Sequence, residues 1–338
     1  MRTSRRESLR LLAGAAGLGL IRSGRAAAEA PPETTRLRLS RVPTICLAPQ
    51  YIAEALLRGE GFTDIQYVGE GSSHSGIPGA RAMGAGELDM AMNFAAPLVI
   101  ALDQGAPIVL LGGVHVGCFE LFGAEGIRTI SDLKGKTGAT PGKGSAQYVF
   151  VASIATSVGL DPNRDIHWVD MSGADSQRVL AQGKIDAYLA FPPDAQELRA
   201  RKVGRVLLNS ATDRPWSQYF CCLLVANQEF VRRNPIATKR AMRAVLKASE
   251  ICASDPDPDL GVKAYLARGF TTNPEIARQA ITELPSYGHW REYNPEETVR
   301  FYALRLREAE MVKGSPQKLI AQGTDWRILE QLEREMKT

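Results

Sequence analysis

The sequence is poor in metal ligands, and its N-terminal apolar run is too short to cross a membrane. Its 338 residues include four His and five Cys, and no two Cys have CxxC spacing. We therefore expect no metal site and no bound cofactor. The apolar stretch over residues 11–21 is interrupted by glycines. It is shorter than the ~20 residues of a membrane helix, so we expect no permanent anchor.

The N-terminal residues predict an export signal instead. Arg5 and Arg6 stand before the apolar stretch, and small residues suited to cleavage follow it at 26–28. This order is typical of twin-arginine export. We expect cleavage near Ala28, since cleavage after Ala30 would leave Pro31 at the new N-terminus, and we expect the mature protein in the periplasm.

The mature chain lacks a net charge of either sign. Removing residues 1–28 lowers the number of Lys and Arg from 41 to 35 and the number of Asp and Glu from 37 to 36. Such a balance provides no overall basic field for nucleic acid or anionic lipid, so we expect no nucleic-acid partner. The roughly 310 remaining residues are enough for two lobes with a core each.

The cysteines do not form a disulfide pattern. They are Cys46, Cys118, Cys221, Cys222 and Cys252. Their number is odd, and twin-arginine cargo usually crosses the membrane already folded from a reducing compartment. Cys221 and Cys222 lie in an apolar run where a strand would turn them to opposite faces. The sequence therefore predicts buried free thiols.

The chain repeats polar and glycine positions at an offset of 97 residues without a gap. The matched pairs are Gln50–Tyr51 with Gln147–Tyr148, Ser75–Gly76 with Ser172–Gly173, Arg81 with Arg178, Gly86 with Gly183, Asp89 with Asp186, and Phe94 with Phe191. This period is too long for a solenoid, whose units have ~20–50 residues. It predicts two similar α/β lobes that present equivalent loops to one cleft. The alternative is a chance likeness between ordinary helix–Gly–strand units.

Strand and helix patterns alternate through both halves of the chain. The alternation runs from Arg36 to Val114, restarts at Thr137 and continues to Leu208. It predicts an α/β fold in which each lobe is a mainly parallel sheet flanked by helices. After a strand at 219–226 only helices follow, and these need a sheet to pack on. We therefore expect residues 36–125 and 222–338 in lobe one, residues 126–221 in lobe two, and crossings near 120–130 and 212–222.

Several segments, taken in order, resemble the substrate-binding proteins of ABC importers. The class is the one that binds nitrate, sulfonates, taurine and precursors of the thiamine pyrimidine. The segments are APQYIA (48–53), AMGAGELDMA (82–91), GAPI (105–108), LKGK (133–136) and GSA (144–146). Their order and spacing cover nearly all of the mature chain. The resemblance implies a two-lobed periplasmic-binding-protein fold of type II with two hinge crossings. It implies a monomer that closes around one small organic solute and delivers it to an ABC transporter permease.

Two other functions are weighed against this one. The same fold serves an enzyme, the eukaryotic synthase of the thiamine pyrimidine, which depends on pyridoxal phosphate and a cysteine-rich segment. This chain has only the pair Cys221–Cys222, and its segment 71–75 departs from a nucleophile elbow because Ser75 replaces the final Gly. We expect no enzymatic activity. A periplasmic sensor or adaptor for a membrane receptor is the other alternative.

The expected solute site follows from the sheet architecture. In open α/β sheets the ligand lies beyond the carboxyl ends of the strands, where loops lead into helix N-termini. Any residue there can instead cap a helix or support a turn, and Ser145 and Ser172 fit that role best. The predicted ligand-binding residues are Pro49, Gln50, Tyr51, Ser73, His74, Ser75, Asn93, Phe94, Gly144, Ser145, Ala146, Ser172, Phe191, Asp194 and Tyr219.

The composition of these loops limits the solute. They contain no Arg and, among their neighbours, only Lys143, which disfavours a multiply charged anion. We expect a compact neutral or singly charged solute, planar if Phe94 and Phe191 stack on it from opposite lobes. His74 titrates near neutral pH, and we expect it to point towards the solute and to supply positive charge.

Overall fold

The computed structural model describes residues 29–69, 71–254, 259–284 and 286–336. The predicted export signal, residues 1–28, lies outside the described residues. The strands are β1 (Arg36–Ser40), β2 (Asp64–Val68), β3 (Met90–Phe94), β4 (Ile108–Val116), β5 (Glu120–Gly123), β6 (Lys136–Thr140), β7 (Ile166–Asp170), β8 (Ala187–Ala190), β9 (Arg205–Asn209) and β10 (Phe220–Asn227). The helices are α1 (Ala48–Gly59), α2 (Gly76–Gly84), α3 (Ala95–Asp103), α4 (Ala146–Ser157), α5 (Gly173–Ala181), α6 (Asp194–Ala200), α7 (Gln228–Arg233), α8 (Pro235–Ser254), α9 (Asp259–Ala267), α10 (Pro274–Thr282), α11 (Pro295–Glu308), α12 (Pro316–Gly323) and α13 (Arg327–Glu335).

Local sequence sets where the C-terminal helices begin. The side-chain oxygen of Asn294 accepts hydrogen bonds from the amides of Glu296 and Glu297, and Pro295 takes the first helical position of α11. Asn273 caps α10 in the same way. A capping oxygen satisfies amides that have no partner within the helix, and Pro has no amide hydrogen to lose there. These Asn-Pro pairs therefore fix the two helix starts.

The strands form three sheets. β1 pairs in parallel with β2, and beside β1 lies a second sheet with the order β3-β10-β4. The third sheet has the order β7-β6-β8-β5-β9. The first two sheets with α1–α3 and α7–α13 make up lobe one, and the third sheet with α4–α6 makes up lobe two. The C-terminal helices cover lobe one, since α8 packs on α1 and α11 packs on α3.

Each lobe contains one antiparallel strand, which enters from the other lobe. β10 runs antiparallel to β3 and β4, and β5 runs antiparallel to β8 and β9. A strand arriving from the cleft starts at the edge where the parallel strands end, so it must run in the opposite direction. The first crossing is residues 117–119, earlier than the sequence predicted, because the four-residue β5 carries no recognisable alternation. The second crossing is residues 210–219. The predicted lobe boundaries stay a proposal, with one change: β5, which the sequence placed in lobe one, pairs with β8 and β9 of lobe two.

The 97-residue repeat has a structural counterpart. Asp89 accepts a hydrogen bond of 2.7 Å from the amide of Arg38, and its own amide donates to the Arg38 carbonyl at 2.9 Å. Asp186 makes the same pair of bonds with Thr137, both at 2.8 Å. The matched carboxylates therefore tie β3 to β1 in lobe one and β8 to β6 in lobe two.

Residues 31–338 form one compact unit. Most of its apolar side chains belong to one continuous core that extends through both lobes, and a smaller cluster around Phe122 and Tyr188 lies within lobe two. Within the described ranges, no helix has both the length and the apolar character needed to span a bilayer.

Candidate functional site

A cavity of about 400 Å³ lies between the two lobes. Lobe one contributes the loop after β1 and Ser75, and lobe two contributes the starts of α4, α5 and α6. The lining residues are Val42, Pro43, Thr44, Ser75, Pro141, Ser145, Ala146, Gln147, Ser172, Gly173, Tyr188, Phe191 and Asp194. The cavity thus lies where the carboxyl ends of the parallel strands face each other.

Two helix starts in the lining have serine caps. The hydroxyl of Ser145 accepts from the amide of Tyr148 at 3.2 Å, and that of Ser172 accepts from the amide of Asp175 at 3.2 Å. Both serines therefore cap helices, as predicted, and both also line the cavity. The first amides of α4 and α5 form the positive ends of two helix dipoles, which favour a negatively charged or hydrogen-bond-accepting group.

Asp194 is the acidic group of the cavity. It begins α6, and its Oδ2 accepts a hydrogen bond of 2.6 Å from the Tyr188 hydroxyl. Burial raises the pKa of Asp194, Glu197 raises it further, and hydrogen bonds from Tyr188 and Gln177 oppose the shift. The carboxylate is therefore costly to leave charged and uncompensated.

Gly173 allows the close approach of these groups. A Cβ at this position would lie 2.8 Å from Oδ2 of Asp194 and 2.9 Å from the Tyr188 hydroxyl oxygen. Both distances are shorter than van der Waals contact. Only glycine therefore leaves the Tyr188–Asp194 pair in place at the start of α5.

The charges of the lining are unbalanced. Among the described residues that line the cavity, Asp194 is the single carboxyl group, and no Arg or Lys is present. The cavity therefore combines one carboxylate with the amide-rich starts of α4 and α5.

The lobes are in direct contact around the cavity. The amide of Ile45 donates to the carbonyl of Pro192 at 3.1 Å, and the amide of Ile77 donates to the carbonyl of Gly144 at 3.1 Å. In both bonds the donor belongs to lobe one and the acceptor to lobe two. The structure is thus a closed arrangement.

Six of the predicted site residues line the cavity, and the others do not. The six are Ser75, Ser145, Ala146, Ser172, Phe191 and Asp194. The ligand-binding role of each residue stays a prediction.

Gln50 and Tyr51 are buried in lobe one with Pro49. The side-chain amide of Gln50 donates to the carbonyl of Ser40 at 2.8 Å and accepts from the amide of Met92 at 2.9 Å. The Tyr51 hydroxyl donates to the carbonyl of Val42 at 2.8 Å and accepts from its amide at 2.8 Å. These side chains therefore hold the loop after β1 in place, instead of facing the cavity.

His74 also faces lobe one. Its Nδ1 lies 2.8 Å from the hydroxyl of Ser73, and its Nε2 lies 3.3 Å from Oε2 of Glu87. The ring covers Gly69, where a Cβ would meet it at 2.1 Å. In this arrangement neither His74 nor Ser73 is part of the cavity lining.

The remaining predicted residues have structural partners. The side-chain oxygen of Asn93 accepts from the amides of Gly76 and Phe94, and its side-chain nitrogen donates to the Gly76 carbonyl. Gly144 provides the carbonyl bonded to Ile77. Tyr219 stacks on Phe301, with ring centroids 3.9 Å apart.

Sequence reasoning missed several lining residues. These are Val42, Pro43, Thr44, Pro141, Gln147 and Tyr188. Gln147 is a member of the 97-residue repeat, so that signal was available. Tyr188 lies within β8, whereas only loops and helix starts were considered.

The sequence and the structure both have known relatives. Residues 71–258, more than half of the chain, match the family model described as NMT1/THI5 like. A protein of Brucella abortus (strain 2308), provisionally named a binding protein, is 25% identical over 196 residues, which are 58% of this chain and 60% of that protein. The taurine-binding periplasmic protein of Escherichia coli K12 is 25% identical over 190 residues, 54% of this chain and 57% of its own. The matched segments thus span about 60% of these relatives.

A solved structure supports the fold along nearly the whole chain. The periplasmic nitrate-binding protein NrtA from Synechocystis PCC 6803 superposes with a TM-score of 0.76 over 90% of each chain, at 13% identity. The two-lobed architecture with two crossings predicted from the sequence is confirmed. The chain therefore belongs to the NMT1/THI5-like family and has the periplasmic-binding-protein fold.

Proposed function

We propose that the protein is an extracytoplasmic solute-binding protein that captures one small organic solute between its lobes and delivers it to an ABC importer. The observation that carries the proposal is the cavity itself, about 400 Å³ and lined from both lobes. This volume is within the usual ~300–1,000 Å³ of small-molecule sites. The named relatives are binding proteins, and the family membership supports the same role here.

The lining favours a solute with two different ends. Asp194 offers a carboxylate whose pKa is raised by burial and by Glu197. Among the described lining residues no Arg or Lys balances it, so an ammonium group on the solute would give it a cationic partner. The starts of α4 and α5 offer amides to an acidic or accepting group. We propose a compact solute of this bipolar kind, such as an amino sulfonate or an amino acid. Taurine, named for one relative, has both ends.

The other expected partners follow from this role. We propose export by the N-terminal signal, function in the periplasm, action as a monomer, and a permease as the macromolecular partner. The synthase alternative fits the cavity less well, because the phosphate of pyridoxal phosphate calls for cationic side chains and the described lining residues include no Arg or Lys. A sensor or adaptor would use the same cavity. Deleting the gene would abolish solute uptake if the protein serves an importer, and would leave uptake intact if it is a sensor or adaptor.

Calorimetry with three matched probes tests the proposed solute class. The probes are taurine, ethanesulfonate without the amine, and ethylamine without the acid. We expect taurine to bind most tightly and Asp194→Asn to weaken its binding tenfold or more, as for loss of a charge-assisted hydrogen bond of ~1.5–3 kcal/mol. Glu125→Gln removes an exposed carboxyl group outside the lining and should leave binding unchanged.

Two results would contradict the proposal. If ethanesulfonate binds as tightly as taurine to both wild type and Asp194→Asn, the amine end of the solute is wrong. If no small solute of a broad panel raises the unfolding temperature, solute capture itself is wrong, since ligand at 100 times its Kd adds ~2.7 kcal/mol of stability.

A further inference from the structure

Four thiols and one imidazole are buried together where the chain crosses between the lobes. We call them the thiol cluster: Cys46, His115, Cys118, Cys221 and Cys222. The ligand atoms of Cys46, His115 and Cys222 lie within 4.8 Å of one another, and so do those of Cys118, Cys221 and Cys222. The five residues are at most 5% exposed.

The fold brings these residues together from four separate places. Cys222 is opposite His115 in the pairing of β10 with β4, and Cys118 lies in the first crossing. Cys46 lies in the short helical turn before α1. The pairing of β10 with β4 shifts at Cys221, which has no partner on β4. A bulge of this kind redirects a side chain, so both neighbouring thiols reach the same cluster, whereas the sequence predicted opposite faces.

The imidazole of His115 has an unsatisfied nitrogen. Its Nδ1 lies 3.3 Å from the carbonyl of Val116, and the ring of Tyr287 packs edge-on against it. Its Nε2 is fully buried and has no hydrogen-bond partner. A buried polar atom without a partner costs ~1–3 kcal/mol, and native proteins rarely leave one. The cluster therefore contains one buried nitrogen, Nε2 of His115, that could bind a metal ion.

The cluster offers several thiols and one imidazole within a single buried space. Imidazole and thiolate are the groups that bind thiophilic cations in proteins.

We propose that Cys46, His115 and Cys222, with Cys118 as the fourth ligand, form a buried binding site for one thiophilic metal ion, Zn²⁺ being the expected occupant. Zn–S bonds of ~2.3 Å in a tetrahedron place sulfur atoms about 3.8 Å apart. The ligand atoms of Cys46, His115 and Cys222 lie within 4.8 Å of one another, and that of Cys118 lies within the same distance of Cys222, so small side-chain movements reach this geometry. The sulfur atoms of Cys118 and Cys221 are 2.7 Å apart, too close for both to bind one ion, so Cys221 stays outside the ligand set.

An ion at this position would brace the hinge. Cys118 belongs to the first crossing, Cys222 follows the second, and Cys46 belongs to lobe one. The ion would therefore fix the points where both crossings leave lobe one. The two crossings also abut directly, since a Cβ on Gly117 would lie 2.3 Å from Cα of Ala211.

Metal content of the full chain, purified under reducing conditions without chelator, tests the site. We expect one equivalent of zinc by mass spectrometry. We expect Cys46→Ala and Cys222→Ala to lose it and Cys252→Ala, a cysteine of neither group, to retain it. Protein unfolded with chelator and refolded with Co²⁺ should show tetrahedral d–d bands and a sulfur-to-cobalt charge-transfer band.

The wild-type results decide the proposal even if a variant fails to fold. Wild type that carries no zinc and gives no tetrahedral cobalt spectrum after refolding overturns it. A count of three reactive thiols in unfolded, metal-free protein, instead of five, would indicate a Cys118–Cys221 disulfide and would also overturn it. Zinc that persists in all the alanine variants would place the ion elsewhere and contradict the assignment. Taurine binding is measured separately, so failure of the metal site and failure of the solute site are distinguishable.

Discussion

The rings of Phe94 and Phe191 stack face to face between the lobes, with centroids 4.9 Å apart and planes at 6°. Phe94 ends β3 in lobe one, Phe191 follows β8 in lobe two, and the two positions match in the 97-residue repeat. The sequence predicted that the rings would enclose a planar solute. In the structure each ring is the other's partner, so the pair stabilises the closed arrangement directly.

Phe94→Leu should shift the unliganded protein towards an open form. An aromatic pair contributes ~0.5–1.5 kcal/mol beyond its buried area. The closed fraction should fall accordingly, and apparent solute affinity should fall with it by up to about tenfold. Scattering should show a larger radius of gyration without solute. Phe230→Leu, a buried phenylalanine in α7, is the control, and equal scattering from both variants would contradict the role of the stack.

Solute binding should depend on the ionisation of Asp194. An ammonium solute needs the carboxylate, so affinity should weaken as pH falls through the raised pKa of Asp194. The unliganded protein should respond in the opposite sense. A carboxyl group with a raised folded-state pKa contributes stability at low pH that is lost as pH rises through that pKa. Calorimetry across this range should show a slope for wild type and none for Asp194→Asn; parallel curves would contradict the assignment.

Gly173→Ala should disrupt the acidic end of the cavity. The added Cβ would collide with the Tyr188 hydroxyl and Oδ2 of Asp194, so their hydrogen bond must break or α5 must move. We expect a loss of ~1–3 kcal/mol of stability and weaker solute binding. Gly59→Ala is the matched control, because nothing lies within 4 Å of its Cβ position. A variant with unchanged thermal unfolding would show that the cavity is more deformable than the contacts indicate.

The two matched aspartates should differ in their contribution to stability. Asp89 also receives the Arg38 guanidinium, at 3.1 Å from Nε and 2.6 Å from Nη2. Asp186 has Lys136 at 3.9 Å and is more exposed. Asp89→Ala should therefore cost ~1.5–3 kcal/mol and Asp186→Ala ~0.5–1.5 kcal/mol in chemical unfolding. A larger loss of stability for Asp186→Ala than for Asp89→Ala would mean that the Arg38–Asp89 ion pair does not stabilise the fold.

Export should require the paired arginines of the N-terminal segment. Replacing Arg5 and Arg6 with Lys keeps the charge and removes the twin-arginine signature. We expect the precursor to stay in the cytoplasm on cell fractionation. The double variant Arg2→Lys with Arg10→Lys is the control and should be exported. Normal export of the Arg5/Arg6 variant would indicate another route.

Much of the architecture was predictable because local patterns decide it. The sequence predicts a helix from Ala146 to Ser157 and a strand from Ile166 to Asp170, and α4 and β7 have these bounds. Ser145 marks the start of α4, and apolar periodicity marks the rest. The antiparallel entry strands were not predictable, because a strand's direction depends on where the chain arrives from.

The site was harder to predict for a physical reason. A polar side chain near the ends of strands can bind a solute or satisfy buried backbone groups, and sequence does not separate these uses. The side chains of Gln50 and Asn93 both satisfy buried backbone groups. The sequence contains one signal for the thiol cluster, the three-residue spacing of His115 and Cys118. The other members of the cluster come from distant parts of the chain.

The position of β10 also determines the order in which the lobes can be completed during synthesis. β5 to β9 are continuous along the chain, so lobe two has all its strands once residue 209 has been made. The sheet of lobe one still lacks its middle strand at that stage, and the buried strands β3 and β4 have no shared neighbour until residues 220–227 follow. The nascent chain therefore exposes two apolar strands without their shared neighbour while more than a third of the protein is still to come, which is when a chaperone would be needed.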